Sequence, residues 1–200
     1  MQLSPHTTEP VADKKALRAR MLAWRGTVPE AERIQTATAL AWEGIGFVRP
    51  VRPGAVVSGF ASLPGELDCM PLLHRLAGDG VRLALPRVEG KGKPLSFRAW
   101  APGDATQPGV WGIAEPGPDR AVLEPDILLV PLLAVDRAGW RLGYGGGFYD
   151  RSLAALRRLK PIIAIGLAYD AQVVDAVPHL DYDEPLDWVL TPSGALRCGG

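Results

Sequence analysis

The run Arg141-Leu-Gly-Tyr-Gly-Gly-Gly-Phe-Tyr-Asp150-Arg151 gathers most of the groups able to do chemistry. Four of the five residues from Gly143 to Gly147 are glycine, so the backbone there can approach a ligand closely and take positive φ. The run follows an apolar strand and a turn and leads into a helical pattern. That order sets loop N–H groups and the positive end of a helix dipole at one spot, an anion site whose natural guest is phosphate. Asp150 falls in the first helical turn, where it can hold Mg²⁺ against such phosphates. The run is neither a dinucleotide fingerprint, because Phe148 stands where its last glycine belongs, nor a P-loop, because no Gly-Lys-Ser/Thr follows. Taken alone, the glycines also suit a tight turn with Asp150 capping a helix. Arg141, Tyr144, Tyr149 and Asp150 around them weigh toward a site.

Lys14, Arg18 and Arg25 differ by four and seven residues and share a narrow helical stripe. The stripe borders an apolar face of Leu17, Met21 and Trp24, so it can turn into a cleft. It equally suits a solvated basic face, the usual fate of surface Lys and Arg. Glu66 and Asp68 follow a strand end at Phe60. Pro64-Gly65 reads as a turn, and Asp68 suits a helix cap as well as a binding site. Trp111 is either a stacking surface or core filler. Asp187 precedes a short strand, where an acid is often plain loop polarity. His6, His74 and His179 show no metal-ligand spacing.

These groups need elements to position them. Residues 1–11 read as a loose tail. A helix starts near Asp13 and stops at Gly26. Thr27-Val-Pro-Glu30 has the form of a capping box opening a second helix that runs to Trp42, and Gly44, Gly46, Pro50 and Pro53 mark a turn. Strands are expected at Ala55–Phe60, Val81–Leu85 (stopped by Pro86), Leu95–Trp100, Ile127–Val135 (interrupted by Pro131), Ile162–Ala168 and Trp188–Leu190. Helices are expected over Asp68–Ala77 and Phe148–Lys160, with 101–125 mostly loop. Strands alternating with helices imply βαβ units and a mainly parallel sheet covered on both faces. Ligands in such folds gather at the carboxyl ends of the strands. The expected organisation is a tail over 1–11, one domain over 12–194 and a second tail over 195–200.

Lys+Arg and Asp+Glu balance at 22 each, which argues against a general binder of nucleic acid or anionic membrane. The cysteines, Cys69 and Cys198, form neither a disulfide framework nor a Cys-x-x-Cys pair. No apolar run approaches signal-peptide or membrane-span length, and cytoplasm is the expected compartment.

Together with Leu129-Val-Pro-Leu-Leu-Ala-Val-Asp136-Arg-Ala-Gly, the glycine run resembles the signature of the 5-formyltetrahydrofolate cyclo-ligase family, the methenyltetrahydrofolate synthetases. Lys14-Lys-Ala-Leu-Arg18 resembles the family's N-terminal ATP segment. Ser62-Leu-Pro-Gly-Glu66-Leu-Asp68 resembles its pterin-side segment, Trp111-Gly-Ile-Ala-Glu115-Pro its central motif, and Asp187-Trp-Val-Leu its C-terminal segment. The pieces occur in the family's order over nearly the whole chain. The resemblance implies a three-layer α/β/α fold with a mainly parallel central sheet, NagB/RpiA/CoA-transferase-like. It implies ATP-dependent cyclisation of 5-formyltetrahydrofolate to 5,10-methenyltetrahydrofolate through a phosphorylated formyl group. It implies ATP contacts from Lys14, Lys15, Ala16, Leu17 and Arg18, and from Arg141, Leu142, Gly143, Tyr144, Gly145, Gly146, Gly147, Phe148 and Tyr149. Folate contacts would come from Phe60, Glu66, Trp111, Tyr144, Gly145, Gly146, Gly147 and Phe148, with Glu66 accepting from pterin nitrogens. Lys14, Arg141 and Tyr144 would be catalytic, and Asp150 and Asp187 would hold Mg²⁺. The implied partners are ATP and a reduced folate, for a monomer engaging neither nucleic acid nor membrane. Two departures stand out: some family members carry lysine where this chain has Gly146, and tyrosine is commoner than Phe148.

Two competing readings make different demands. An isomerase or CoA-transferase-like enzyme of similar architecture works without ATP. A nucleotide-binding regulator binds ATP and forms no product.

Overall fold

The computed structural model describes residues 9–48 and 54–199. Two helices come first, α1 (Glu9–Arg25) and α2 (Glu30–Glu43). Then follow β1 (Val56–Ser58), α3 (Met70–Gly78), β2 (Arg82–Val88), β3 (Leu95–Ala99), β4 (Thr106–Pro108), β5 (Ala114–Pro116) and β6 (Val122–Leu123). The chain continues through β7 (Ile127–Val130), β8 (Ala134–Val135), β9 (Arg141–Leu142), α4 (Phe148–Leu159), β10 (Ile163–Leu167), β11 (Trp188–Thr191) and β12 (Gly194–Arg197).

The main sheet runs β12-β11-β10-β7-β1-β2-β3-β6. Its inner strands, β11 to β2, pair in parallel, while β12, β3 and β6 are antiparallel at the two edges. Period-two alternation divides the core between two faces. Val57, Leu83, Leu85, Ile127, Leu129, Ile165, Leu167 and Leu190 point to the face covered by α2 and α3. Val56, Ala84, Leu128, Val130, Ala164 and Val189 point to the face covered by α4 through Leu153 and Leu156. Inner strands buried on both sides account for the near-continuous apolar runs. Leu72, Leu73 and Leu76 supply the buried stripe of α3, each worth roughly 1.5–3 kcal/mol of burial. A side chain at Gly59 would meet Leu73 at 2.3 Å, so glycine there lets α3 lie close to the end of β1. The three-layer α/β/α arrangement with a mainly parallel sheet agrees with expectation. Among the described residues, no helix is long and apolar enough to cross a membrane.

Helix α1 packs through Leu17 and Met21 on the β8–β9 hairpin, against Ala134 and Leu142. It begins at Glu9 rather than Asp13, with Pro10 in its first turn, where the missing N–H costs nothing. Of the expected N-terminal tail, residues 1–8 lie outside the described residues, as do Pro50 and Pro53. The capping box does not form. Thr27 Oγ donates to the Trp24 carbonyl at 2.6 Å, and Pro29 is the N-cap of α2. Strand β2 runs through Pro86. Ala84 accepts from Gly59 on the β1 side; Pro86, two residues on, faces the same side where β1 has ended, so its lack of N–H breaks no ladder bond. The stretch 101–125 contains three short strands, and the β4–β5 pair forms a hairpin of its own. At the other terminus β12 extends the sheet to Arg197, pairing Trp188 with Arg197, so residues 195–197 are an edge strand rather than tail.

Candidate active site

The carboxyl ends of β1 and β7 open into a cleft of about 670 Å³, a size suited to small ligands. Its walls are the end of β1 at Phe60, the turn carrying Glu66, the β4–β5 hairpin with Trp111, the glycine loop before α4, and the exposed flank of α1. A second hollow of about 640 Å³ lies by Thr38, Ala41, Trp42 and Arg75. Its one charged group, Arg75, already donates to the Ala41 carbonyl at 2.6 Å and to that of Trp42, so the hollow holds no comparable chemistry.

Glycine is required twice in the loop: Gly145 has φ +100° and Gly147, the N-cap of α4, φ +64°. The Gly143 carbonyl accepts from Arg18 Nε at 3.0 Å and the Gly146 carbonyl from Arg151 Nη2 at 2.7 Å. The N–H groups of Tyr144 to Gly147 donate to no protein acceptor among the described residues. With carbonyls turned to arginines and four N–H groups uncommitted, the loop is an anion cradle. Asp150 sits in the first turn of α4. It pairs with the buried Arg141 at 2.9 Å and accepts from the Glu184 N–H at 3.2 Å. Arg141 also donates to the Glu184 carbonyl at 2.6 Å.

The stripe on α1 turns inward. Lys14 pairs with Asp183, Arg18 holds the glycine loop, and Arg25, only 7% exposed, donates to the Tyr144 hydroxyl. It is therefore no solvated basic face. Lys15 and Ala16 point outward, and Leu17 anchors the helix in the core; none of these three lines the cleft.

On the far wall Glu66 is buried. Its Oε2 accepts from the Leu63 N–H at 2.8 Å and its Oε1 from the Tyr144 hydroxyl at 2.8 Å. Burial pushes its carboxyl above the ordinary range, opposed by the Leu63 N–H, the Tyr144 hydroxyl and the Arg25 charge. Burial likewise pushes the Tyr144 phenol up, with the neighbouring Glu66 charge adding to it, so it stays a proton donor. Phe60 is buried at the cleft floor. Asp68 accepts from the Met70 N–H at 2.9 Å, supporting the start of α3.

Trp111 is 69% exposed at the tip of the hairpin, at φ +59°, with its ring edge-on to Phe148 at 5.7 Å. It is a cleft surface and not core filler. A side chain at Gly146 would meet the Phe148 ring at 2.8 Å, so the two departures from the family pattern are spatially linked. Asp187 stands elsewhere, at the amino end of β11. Its Oδ2 accepts from the Ala164 N–H at 2.7 Å and from Arg157 at 3.1 Å, and it does not line the cleft. The structure thus does not bring it to Asp150 in the cleft.

One contributor escaped the sequence reading, and two were named there without their partners. Asp183, partner of Lys14, lies in an irregular segment with no periodicity to flag it. Glu115 accepts from the Val88 N–H at 3.1 Å and pairs with Arg87 at 3.5 Å, bracing the hairpin against β2; its place in the central motif was the available signal. Arg25 was seen as a charge, but its partner lies 119 residues away.

The model of the 5-formyltetrahydrofolate cyclo-ligase family matches residues 10–192. A 5-formyltetrahydrofolate cyclo-ligase of Mycolicibacterium smegmatis is 35% identical over 192 residues, covering 92% of this chain and 95% of the relative. That of Escherichia coli is 38% identical over 149 residues, covering 72% and 81%. The solution structure of the Aquifex aeolicus 5,10-methenyltetrahydrofolate synthetase superposes with TM-score 0.71 at 29% identity, over 92% of each chain. The Mycoplasma pneumoniae synthetase gives TM-score 0.71 at 22% identity, over 90% and 99%, and shares the fold. Matched by this family's model over residues 10–192 and by these relatives along its length, the chain belongs to the 5-formyltetrahydrofolate cyclo-ligase family.

Proposed function

We propose that the protein uses Mg²⁺ and ATP to close the formyl group of 5-formyltetrahydrofolate onto N10, releasing 5,10-methenyltetrahydrofolate, ADP and phosphate. The observation that carries this reading is the row of uncommitted N–H groups from Tyr144 to Gly147, in one cleft with Glu66.

A formamide carbon is a poor electrophile and its oxygen a poor leaving group. Transfer of the γ-phosphoryl to the formyl oxygen, with ADP leaving, cures both faults. N10 then attacks the activated carbon and gives up its proton to water, the C–O bond breaks, and phosphate departs. Phosphoryl transfer asks the protein chiefly for positioning and charge stabilisation. The loop N–H groups bind phosphate oxygens, with Arg18 and Lys14 offsetting negative charge from α1. Arg141 holds Asp150 in place, and Tyr144 packs beside the formyl end. The carboxylate of Glu66 retains lone pairs beyond those used by Leu63 and Tyr144, and these accept from pterin nitrogens. Ring closure is intramolecular, so orientation alone contributes up to ~7–11 kcal/mol. No covalent nucleophile is required.

Among the described residues no group of three or more His, Cys, Asp or Glu forms a metal cage. Mg²⁺ suits this donor set nonetheless, because it binds through one or two carboxylates plus substrate phosphates. Asp150 beside the cradle would hold it. When bound, the ion neutralises charge on the β- and γ-phosphates. On this reading the partners are small molecules only, and the protein works as a cytoplasmic monomer engaging neither nucleic acid nor membrane, in keeping with its balanced charge.

The test mixes 5-formyltetrahydrofolate, Mg²⁺ and ATP with the protein and follows the near-ultraviolet band of the conjugated product. A band that requires ATP supports the reading. ATP binding without the band rejects it in favour of a regulator, and a reaction that proceeds without ATP rejects it in favour of an isomerase-like enzyme.

A further inference from the structure

Arg25 closes α1, where a helix end would normally let a long basic side chain reach solvent. Here it is buried at 7% exposure. Its Nη1 donates to the Tyr144 hydroxyl oxygen, and its guanidinium carbon lies 5.3 Å from the centre of the Tyr144 ring. The same side chain passes the turn before Glu66: a side chain at Gly65 would come within 3.9 Å of Arg25 Nε.

The direction of these bonds follows from their chemistry. Guanidinium has donors and no acceptor, so the Tyr144 oxygen must accept from Arg25. Its single proton is then left for Glu66 Oε1, 2.8 Å away. The second carboxylate oxygen takes the Leu63 N–H. Guanidinium, phenol and carboxylate thus form a chain in which each proton has one place to go. The phenol belongs to the glycine loop and the carboxylate to the pterin-side turn, so the chain ties the two walls of the cleft together.

We propose that Arg25 is a positioning residue for the folate half of the site, acting through Tyr144 to hold Glu66 as an oriented, ionised acceptor. The inference rests on the reading that Glu66 receives the pterin. The charged and titratable groups facing Glu66 are few: Arg25 from α1, Tyr144 from the glycine loop, Tyr149 from α4, and Cys69 from its own segment. Arg25 and Tyr144 stabilise its ionised form and burial opposes it. Loss of Arg25 therefore leaves the carboxyl more readily protonated and the phenol free to turn away. Lys14 and Arg18, on the phosphate side, contact neither partner.

The experiment measures steady-state kinetics of Arg25→Met, Tyr144→Phe and the double variant, varying each substrate in turn, with thermal melting as a check on folding. For Arg25→Met the KM for 5-formyltetrahydrofolate should rise about tenfold or more while the KM for ATP stays within about twofold. The acid limb of kcat/KM for the folate should move to higher pH. In the Tyr144→Phe background the same substitution should change the folate KM less than about threefold, because a residue acting through a partner is not additive with it. Should Arg25→Met fail to fold, Arg25→Lys carries the same split, since lysine keeps the charge without the fork. Equal rises in both KM values, an unmoved acid limb, or additive effects in the double variant would overturn the proposal. Failure of wild type to make product with ATP defeats the functional reading itself, a separate result. Glu66→Gln is the control: it should abolish the acid limb.

Discussion

The Tyr144 hydroxyl donates to Glu66 Oε1 at 2.8 Å, joining residues 78 apart in sequence across the cleft. That bond makes the glycine loop and the turn carrying Glu66 one connected surface. It also places a buried carboxylate where its ionisation has consequences for both stability and binding.

Burial raises the Glu66 carboxyl above its ordinary value. Between its unfolded and native pKa the folded chain therefore binds more protons than the unfolded one, so this group's contribution falls as pH rises through that window and stays reduced above it. Glu66→Gln removes the titrating group, but its single amide oxygen leaves either the Leu63 N–H or the Tyr144 hydroxyl facing an NH2. The stability of wild type relative to this variant should therefore fall as pH rises from the unfolded value of about 4.3 toward neutral. The variant should also lose most folate affinity. Melting curves across that range check the sign, and a wild-type advantage that grows with rising pH contradicts it.

Asp150→Asn keeps an acceptor for the Glu184 N–H but removes the charge facing Arg141 and, on the proposed reading, the carboxylate that would hold Mg²⁺. Turnover should fall roughly a hundredfold, in line with losing one electrostatic contact to a developing charge. Weakened pairing of the buried Arg141 should cost about 1–3 kcal/mol in stability. Turnover titrated against Mg²⁺, alongside denaturant melts, separates the two effects. Unchanged magnesium dependence would show that the carboxylate does not serve the ion.

Trp111 holds φ +59° with an exposed ring, a conformation that strains any residue but glycine by roughly 1–3 kcal/mol. Trp111→Gly should therefore melt slightly above wild type while its folate KM rises. Lower stability with unaltered kinetics would assign the ring to packing.

Gly59→Ala drives a methyl group into Leu73. Overpacking of this kind costs about 1–3 kcal/mol, and the shift should reach the neighbouring Phe60 at the cleft floor. A denaturant midpoint equal to wild type would mean that α3 gives way freely.

The elements visible in the sequence were those whose burial imposes a period. Leu72, Leu73 and Leu76 mark α3, and the apolar run from Ile127 marks β7, although the single strand expected to Val135 ends at Val130, and Ala134–Val135 pairs with β9 instead. What stayed hidden was set by tertiary partners. Thr27 matched a capping box by spacing, yet its hydroxyl found the Trp24 carbonyl first. Pro86 reads as a strand terminator only when the end of β1 is unknown. The short strands β4, β5 and β6 are too brief for a pattern to accumulate. In the site, the glycine loop with Asp150 was legible because its backbone needs leave a mark on composition. The destination of the α1 cations was not, since a stripe of Lys and Arg looks the same facing water or a cleft. Asp187 reads as a plausible metal partner until Arg157 and the Ala164 N–H are seen to hold it.

Helix α1 meets its partners late in synthesis. Lys14 awaits Asp183, 169 residues on, and Arg18 awaits Gly143, 125 residues on. Contacts of such span carry a large closure entropy and form after local structure. A ribosome therefore releases a helix whose cations stay without these partners until nearly the entire domain has emerged, so the cleft wall they build is among the last parts of the fold to close.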